Sequence, residues 1–284
     1  MTAHYRVIHL RTRPRAGIDD CTFQVRKHEL SLPVSLGTGQ FLYAAKSYCI
    51  DPSMRNWSKA PSPGGRSSSM PPIEPGDIMQ GHTVGTVLVS RSPRFEAGDI
   101  VLAFAPWAEI AILDVEDDRV QVKKVPREHQ PLDYLGVLGI SGPTAYFAVN
   151  RTGKITPGCV VLISGAAGGV GHIAGQLSRI AGAAKIISTA GSDEKMEWPI
   201  SKMEIDLALN YKSPDFRTQF RRHINKVDVF IDTAGDSNII DLALSRASDA
   251  ARVVLTGANA VYDIHKATKG VKLHILMISR RVTM

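Results

Sequence analysis

Hydrophobic positions follow two different rhythms on either side of the chain's middle. In the first part the apolar segments are short and extended, at 41–44, 86–89, 100–104 and 110–115, with Gly- and Pro-rich turns between them. PSPGGRSSSMPP (61–72) and EPGD (74–77) have loop and turn composition. No sustained helical period runs through this part, which predicts a compact β domain. From Cys159 onward strands and helices alternate. Residues 160–163 are a continuous apolar run, as expected of a strand buried on both faces, and Val170, Ile173, Ala174, Leu177 and Ile180 then recur at helical spacing. Residues 185–188, 206–209, 227–231 and 252–255 predict four more short strands. Phe216, Phe220 and Ile224, and then Ile240, Leu244 and Ala247, predict helices among them. This alternation predicts an α/β fold with a doubly wound parallel sheet. The break is expected after residue 125, giving domains 1–125 and 126–284, and no internal repeat is visible.

Composition agrees with a folded two-domain chain. At 284 residues, with 44% hydrophobic and 21% charged positions, the chain has the apolar surface for a sizeable core, which excludes a disordered chain. The formal net charge of +7 suits an anionic ligand as well as nucleic acid. Only 6% of positions are aromatic and no Lys/Arg block exceeds two residues, so a nucleic-acid platform is disfavoured. Cys21, Cys49 and Cys159 are odd in number and far apart, which argues against a disulfide framework and for a reducing compartment. Pro106 and Glu109 interrupt the longest apolar stretch, 100–113, so no membrane span is expected. Arg6, Arg11, Arg13 and Arg15 precede the first acid, but Pro14 breaks any presequence-like helix, and a first strand and its loop are expected there. The expected setting is cytoplasmic.

The sharpest local signal is VVLISGAAGGVGHIAGQL: a strand, a Gly-rich turn and a helix. Ala166-x-Gly168-x-x-Gly171 is a variant of the dinucleotide fingerprint, in which small residues let backbone amides at a helix N-terminus approach a pyrophosphate. The competing reading is a turn made small only for helix–strand packing. An NAD site carries a carboxylate at the tip of the next strand, about 20 residues on, to bind the ribose hydroxyls. Here that place reads Ser188-Thr189-Ala190-Gly191-Ser192, with no acid. Lys195 follows one turn later and suits a 2′-phosphate, unless it is simply a solvated helix residue. Asp193 and Glu194 are expected to cap that helix. Other chemistries lack their residues. There is no HExxH, and Cys49 and His82 have no third ligand, so no metal is expected and His82 is read as structural. Gly139-Ile140-Ser141-Gly142 misses a nucleophile elbow because Pro143 occupies the second glycine's place.

Further motifs follow in a fixed order: DPSMR (51–55), Trp107 with Glu109, YLGVLGISGPTAYF (134–147), SGAAGGVG (164–171), AGSDEK (190–195), NYK (210–212), DTAGD (232–236) and TGANAVY (256–262). Together they resemble a zinc-independent medium-chain dehydrogenase/reductase of the NADP-dependent alkenal/one oxidoreductase type, which includes prostaglandin and curcumin reductases. The dinucleotide turn is generic; GPTAY, GSDEK and NYK in this order are specific. The resemblance implies an N-terminal GroES-like catalytic domain and a Rossmann domain, with the active site in the cleft between them. It implies NADP(H) as cofactor, with Gly168, Gly169, Val170, Gly171 and His172 at the pyrophosphate and Lys195 and Tyr211 at the 2′-phosphate. Gly191, Ser192 and Thr233 complete that binding set, and Thr256, Gly257 and Ala258 pass near the nicotinamide. The implied reaction reduces a carbon–carbon double bond conjugated to a carbonyl. Hydride reaches the β-carbon, and Tyr262 donates to the developing enolate oxygen. Arg55, Trp107 and Tyr262 would line the substrate site.

Departures from that pattern qualify the expectation. Ser53 stands where the family carries a substrate-lining Tyr, and loop 61–72 lacks an aromatic, which suggests a different pocket. Thr233 replaces an Asn, and Pro199 should shorten or kink the helix starting near Asp193. HILMISRRVTM (274–284) resembles the segment just before the family's last Rossmann strand. A sheet lacking that strand is therefore expected, with a bare fifth-strand edge, a frayed helix around 271–278 and no family-type dimer. The leading expectation is an NADPH-dependent enone or enal reductase acting on a small molecule, with secondary metabolism as its expected setting. The rivals are a quinone reductase on the same scaffold and a non-catalytic NADP-binding homologue.

Overall fold

The computed structural model describes residues 1–15, 17–58, 72–261 and 274–284, which fall into two compact units, Met1–Gly136 and Val137–Met284. Loop 61–71 and Tyr262 lie outside the described residues.

In the first unit, β1 (Thr2–Leu10) and β2 (Phe23–Ser31) form an antiparallel hairpin. β2 carries alternating polar residues on a largely exposed strand, so hydrophobic patterning gives it no signal. The main sheet has the order β6-β3-β4-β5-β7. It is built from β3 (Gln40–Tyr48), β4 (Gln80–Ser90), β5 (Ile100–Pro106), β6 (Ile110–Asp114) and β7 (Lys123–Lys124), and every pairing is antiparallel. Phe41, Tyr43, Val101 and Ala103 are fully buried within it. The one-turn helix α1 (Met54–Trp57) packs Met54 and Trp57 against Leu10, Met79 and Phe104. A 3-10 turn at Pro131–Leu135 lies against β4 and β5. Those contacts carry the first unit to Gly136, beyond the break expected after residue 125.

Tyr43 Oη and Thr83 Oγ1 share a buried hydrogen bond of 2.8 Å. Burial pushes the Tyr43 phenol's pKa well up, so the group stays neutral. Thr83→Val keeps the shape but leaves the phenol unpaired, which should cost about 1–3 kcal/mol. The expected result is a lower urea midpoint at an unchanged m-value. An unchanged midpoint would show that Tyr43 finds another partner.

The second unit contains the predicted parallel sheet. β8 (Val160–Ser164), β9 (Lys185–Ala190), β10 (Leu207–Asn210), β11 (Val227–Asp232) and β12 (Ala247–Leu255) lie in the order β10-β9-β8-β11-β12. Val161, Ile163, Ile186, Val229 and Ile231 feed one face, whereas Leu162, Ile187, Phe230 and Val253 feed the other. This double burial is why the strands read as unbroken apolar runs. α3 (Gly169–Ile180) places Ile173 and Ala174 on the first face, and α5 (Phe216–His223) and α6 (Ser237–Ser245) cover the second. α2 (Ser141–Tyr146) continues into a π-helical turn at Phe147–Thr152.

Pro199 lies inside α4 (Glu194–Met203), a helix of ten residues that ends at Glu204, whose φ is 51°. Two expectations need correction. Ala247, assigned to a helix by its spacing, begins β12. The outer edge of β12 is not wholly bare: Thr283 N–H donates to Ala251 O at 3.0 Å, and Val253 N–H donates to Thr283 O at 2.8 Å, in parallel register. α7 (His274–Ser279) precedes that contact, and Met277 and Val282 pack against the second face of the core. No described helix is long and apolar enough to cross a membrane.

Candidate functional site

The strand order reverses between β8 and β11, so the loops leaving their C-terminal ends flank a switch point, where open α/β sheets bind ligands. The turn after β8 is held by glycine geometry. Gly165 has φ +62°, and Gly168 N–H closes the turn onto Gly165 O at 2.9 Å. A Cβ at Gly171 would lie 2.4 Å from Gly165 O and 2.7 Å from Ala166 Cα. Helix α3 begins at once, with no side-chain cap and no acid in its first turn. The N–H groups of Gly169, Val170 and Gly171 have no acceptor among the described residues, as expected at a helix start, and they suit an anion. The His172 amide differs from these because it donates to Gly168 O at 3.1 Å, with Nδ1 2.9 Å from the same oxygen.

The next strand, β9, ends at Ala190. At Gly191 a Cβ would lie 3.0 Å from Tyr211 Oη, so the phenol packs closely over this glycine. Asn210 Nδ2 donates to Asp193 Oδ1 at 2.9 Å and its Oδ1 accepts from Lys212 N–H at 3.0 Å. These bonds tie the loop after β9 to the loop after β10. Asp193 stands at the N-cap of α4 and Glu194 in its first turn, as expected, although the Asp193 side chain is turned to Asn210 and bonds no helix amide. Lys195 is exposed on α4, with its N–H toward Ser192 Oγ at 3.3 Å.

On the other side of the switch point, the hydroxyls of two predicted cofactor contacts are used internally. Thr233 Oγ1 donates to Ser164 O at 2.7 Å and Thr256 Oγ1 donates to Asp232 O at 3.0 Å. Gly257 and Ala258 also sit in tight contact with the loop after β11. A Cβ at Gly257 would lie 2.3 Å from Thr233 O, and one at Gly235 would lie 2.8 Å from Ala258 Cα. Below them Ser164 Oγ donates to Asp232 Oδ1 at 2.5 Å and accepts N–H from Thr233 at 2.8 Å and Ala234 at 3.1 Å. Asp232 also accepts from the N–H groups of Ala234 and Gly235 at 3.1 and 3.0 Å. Burial pushes the Asp232 carboxyl's pKa up, and these donors pull against that rise. Patterning pointed to neither Ser164 nor Asp232; the available signal is a polar residue ending each of two buried apolar runs. A cavity of about 580 Å³ beside β12, lined by Phe147, Val254 and Met284 among others, shares Thr256 with this site.

The remaining predicted residues belong to the first unit. Arg55 is buried in α1, and Trp107 is 8% exposed, packed near Phe23 and Tyr48 at ring-centroid distances of 6.3 and 6.4 Å. Trp107 is thus part of that unit's core. His82 packs edge-on against Phe104, and burial lowers its pKa and raises that of Cys49. Among the described residues no group of three His, Cys, Asp or Glu side chains is placed to hold a metal.

An antiparallel β unit followed by a five-stranded parallel sheet with a Gly-rich turn at its switch point is the architecture of the medium-chain dehydrogenases/reductases. Two family models match the chain: N-terminal domain of oxidoreductase over residues 6–122, and Zinc-binding dehydrogenase over 169–283. Prostaglandin reductase 1 of Rattus norvegicus is 31% identical over 252 residues, covering 86% of this chain and 69% of the relative. The NADPH-dependent curcumin reductase of Escherichia coli (strain K12) is 28% identical over 263 residues, covering 92% and 72%. Against prostaglandin reductase 1 of Bos taurus, 32% identical over 231 residues and 80% of this chain, the chain spans only 65% of the relative's length. Among solved structures, CurA in complex with NADPH from Vibrio vulnificus superposes with a TM-score of 0.86 at 26% identity, covering 98% of this chain and 80% of that one. The chain belongs to the medium-chain dehydrogenase/reductase family, in the group of NADP-dependent oxidoreductases that contains the prostaglandin and curcumin reductases.

Proposed function

We propose that this protein binds NADPH and reduces the carbon–carbon double bond of α,β-unsaturated ketones and aldehydes. The observation that carries the reading is the pairing of two half-sites on one sheet. Three free amides at the start of α3 face the switch point, and an acid-free strand tip with Gly191 under Tyr211 and Lys195 on the next helix lies beside it. The names of the relatives, an NADPH-dependent curcumin reductase and a 2-alkenal reductase among them, support the same substrate class.

In this reading, the amides of Gly169, Val170 and Gly171 hold the pyrophosphate, where the helix dipole favours negative charge. Lys195 and Tyr211 hold the 2′-phosphate, and Gly191 leaves room for it. When bound, NADPH supplies the hydride that the substrate's β-carbon receives. The Tyr262 phenol donates a hydrogen bond to the substrate oxygen as negative charge gathers there, and a proton taken from solvent water by the α-carbon, leaving hydroxide to the buffer, completes the saturated carbonyl product. Oxidation of NADPH followed at its absorbance maximum, with a panel of enones, enals and quinones, tests this. Turnover confined to quinones, or none with any member of the panel, would overturn it.

Cofactor selectivity gives a second test. Charge-assisted contacts to a phosphate contribute about 1.5–3 kcal/mol, or roughly tenfold to a hundredfold in affinity. Lys195→Ala should weaken NADPH by that factor and leave NADH nearly unchanged in a binding titration. Equal losses for both cofactors would make Lys195 a structural residue.

A further inference from the structure

Below the proposed cofactor cradle lies a buried polar pair that the reaction itself does not use. Ser164 ends β8 and Asp232 ends β11, the strands on either side of the switch point, and both side chains are fully buried. Two apolar residues would fill this space without any desolvation cost, so mere adhesion of the strands does not explain the pair. What the pair supplies is acceptors. The Ser164 hydroxyl and the Asp232 carboxylate together take the N–H groups of Thr233, Ala234 and Gly235, the first three residues of the loop after β11. That loop therefore turns with its amides pointing down into the sheet. Thr233 Oγ1 returns a bond to Ser164 O, at the mouth of the Gly165 turn, and Thr256 binds Asp232 O through both its N–H and its hydroxyl. The loop after β11 thus rests on the hydroxyl–carboxylate pair, and it meets the loops after β8 and β12 through the main-chain carbonyls of the same two residues. They have no slack, because Gly165, Gly235 and Gly257 each sit where a Cβ would strike a neighbouring loop.

We propose that Ser164 and Asp232 are positioning residues for the dinucleotide: they fix the loop after β11, which packs against the Gly165 turn on one side and Gly257–Ala258 on the other, and so set the surfaces that hold the pyrophosphate and nicotinamide halves. This inference rests on the cofactor reading above. The adenosine 2′-phosphate end is held by the loops after β9 and β10, which the pair does not touch, so the two ends of the ligand should respond differently. Calorimetric titration of NADP+ and of adenosine 2′-monophosphate into the unaltered protein and into Ser164→Ala, Ser164→Thr and Asp232→Asn provides the comparison. Ser164→Ala and Asp232→Asn should weaken NADP+ roughly tenfold to a hundredfold. Both should leave adenosine 2′-monophosphate unchanged, and Ser164→Thr, which keeps the hydroxyl, should stay near the unaltered protein. Should Ser164→Ala fail to fold, Asp232→Asn, of nearly identical shape, carries the same comparison. Undiminished NADP+ affinity in both variants, or parallel loss of both ligands, overturns the inference while leaving the cofactor reading intact. Failure of the unaltered protein to bind NADP+ overturns the cofactor reading and the inference with it.

Discussion

Gly171→Ala is expected to weaken NADP+ binding by about a hundredfold or more, equivalent to roughly 2.7 kcal/mol. The third glycine of this fingerprint is replaceable by alanine in many dinucleotide folds, but here the added methyl would stand 2.4 Å from Gly165 O and 2.7 Å from Ala166 Cα. Both obstacles are backbone, so no side chain can rotate away. Either the turn or the first turn of α3 must move, and Gly169 and Val170 move with it. Misplacement of oriented amides by a fraction of an ångström removes much of their value toward a charged ligand. The effect should appear in calorimetry with NADP+, while circular dichroism retains the signature of both units. Binding within a few-fold of the unaltered protein would show that the turn yields, and that its amides are not the main anchor.

Tyr262→Phe should lower turnover by about a hundredfold or more, the usual cost of one donor to a developing oxyanion. NADPH affinity should change little, because the phenol is assigned to the substrate oxygen rather than to the cofactor. Single-turnover hydride transfer with an enone, measured beside a cofactor titration, separates the two effects. An unchanged rate would move the stabilising donor elsewhere, and equal losses in rate and affinity would make Tyr262 part of the cofactor pocket.

The parts of the fold legible in the sequence are those whose physics is local or periodic. β8, β9 and β11 announce themselves as apolar runs because both faces of the sheet are covered. The Gly-rich turn is legible because small residues at fixed spacing have few other reasons to occur between such a strand and a helix. β2 is illegible, since its polar residues are largely exposed and register with β1 alone defines it. The extension of the first unit to Gly136 depends on tertiary contact of a short turn and leaves no compositional mark. Thr233 and Thr256 lie in the loops that motif order assigned to the cofactor, yet their hydroxyls bind Ser164 O and Asp232 O. Motif order names the loop, whereas the direction of each hydroxyl is set by its tertiary partners. The same holds for Asp193, which does stand at the helix N-cap its acidity suggested, but whose carboxylate accepts from Asn210.

The order β10-β9-β8-β11-β12 also sets when the protein becomes competent as it is made. β8 and β9, joined through α3, are close in sequence and can pair early. The bond from Ser164 to Asp232 spans 68 residues, and Thr256 lies further still. Closing such a loop is entropically slow compared with forming one βαβ unit. A nascent chain can therefore carry an intact glycine turn and helix start while half of the ground beneath them is missing. Nucleotide capture is tied to the long-range assembly of the sheet, so it marks completion of the second unit rather than the appearance of its most recognisable motif.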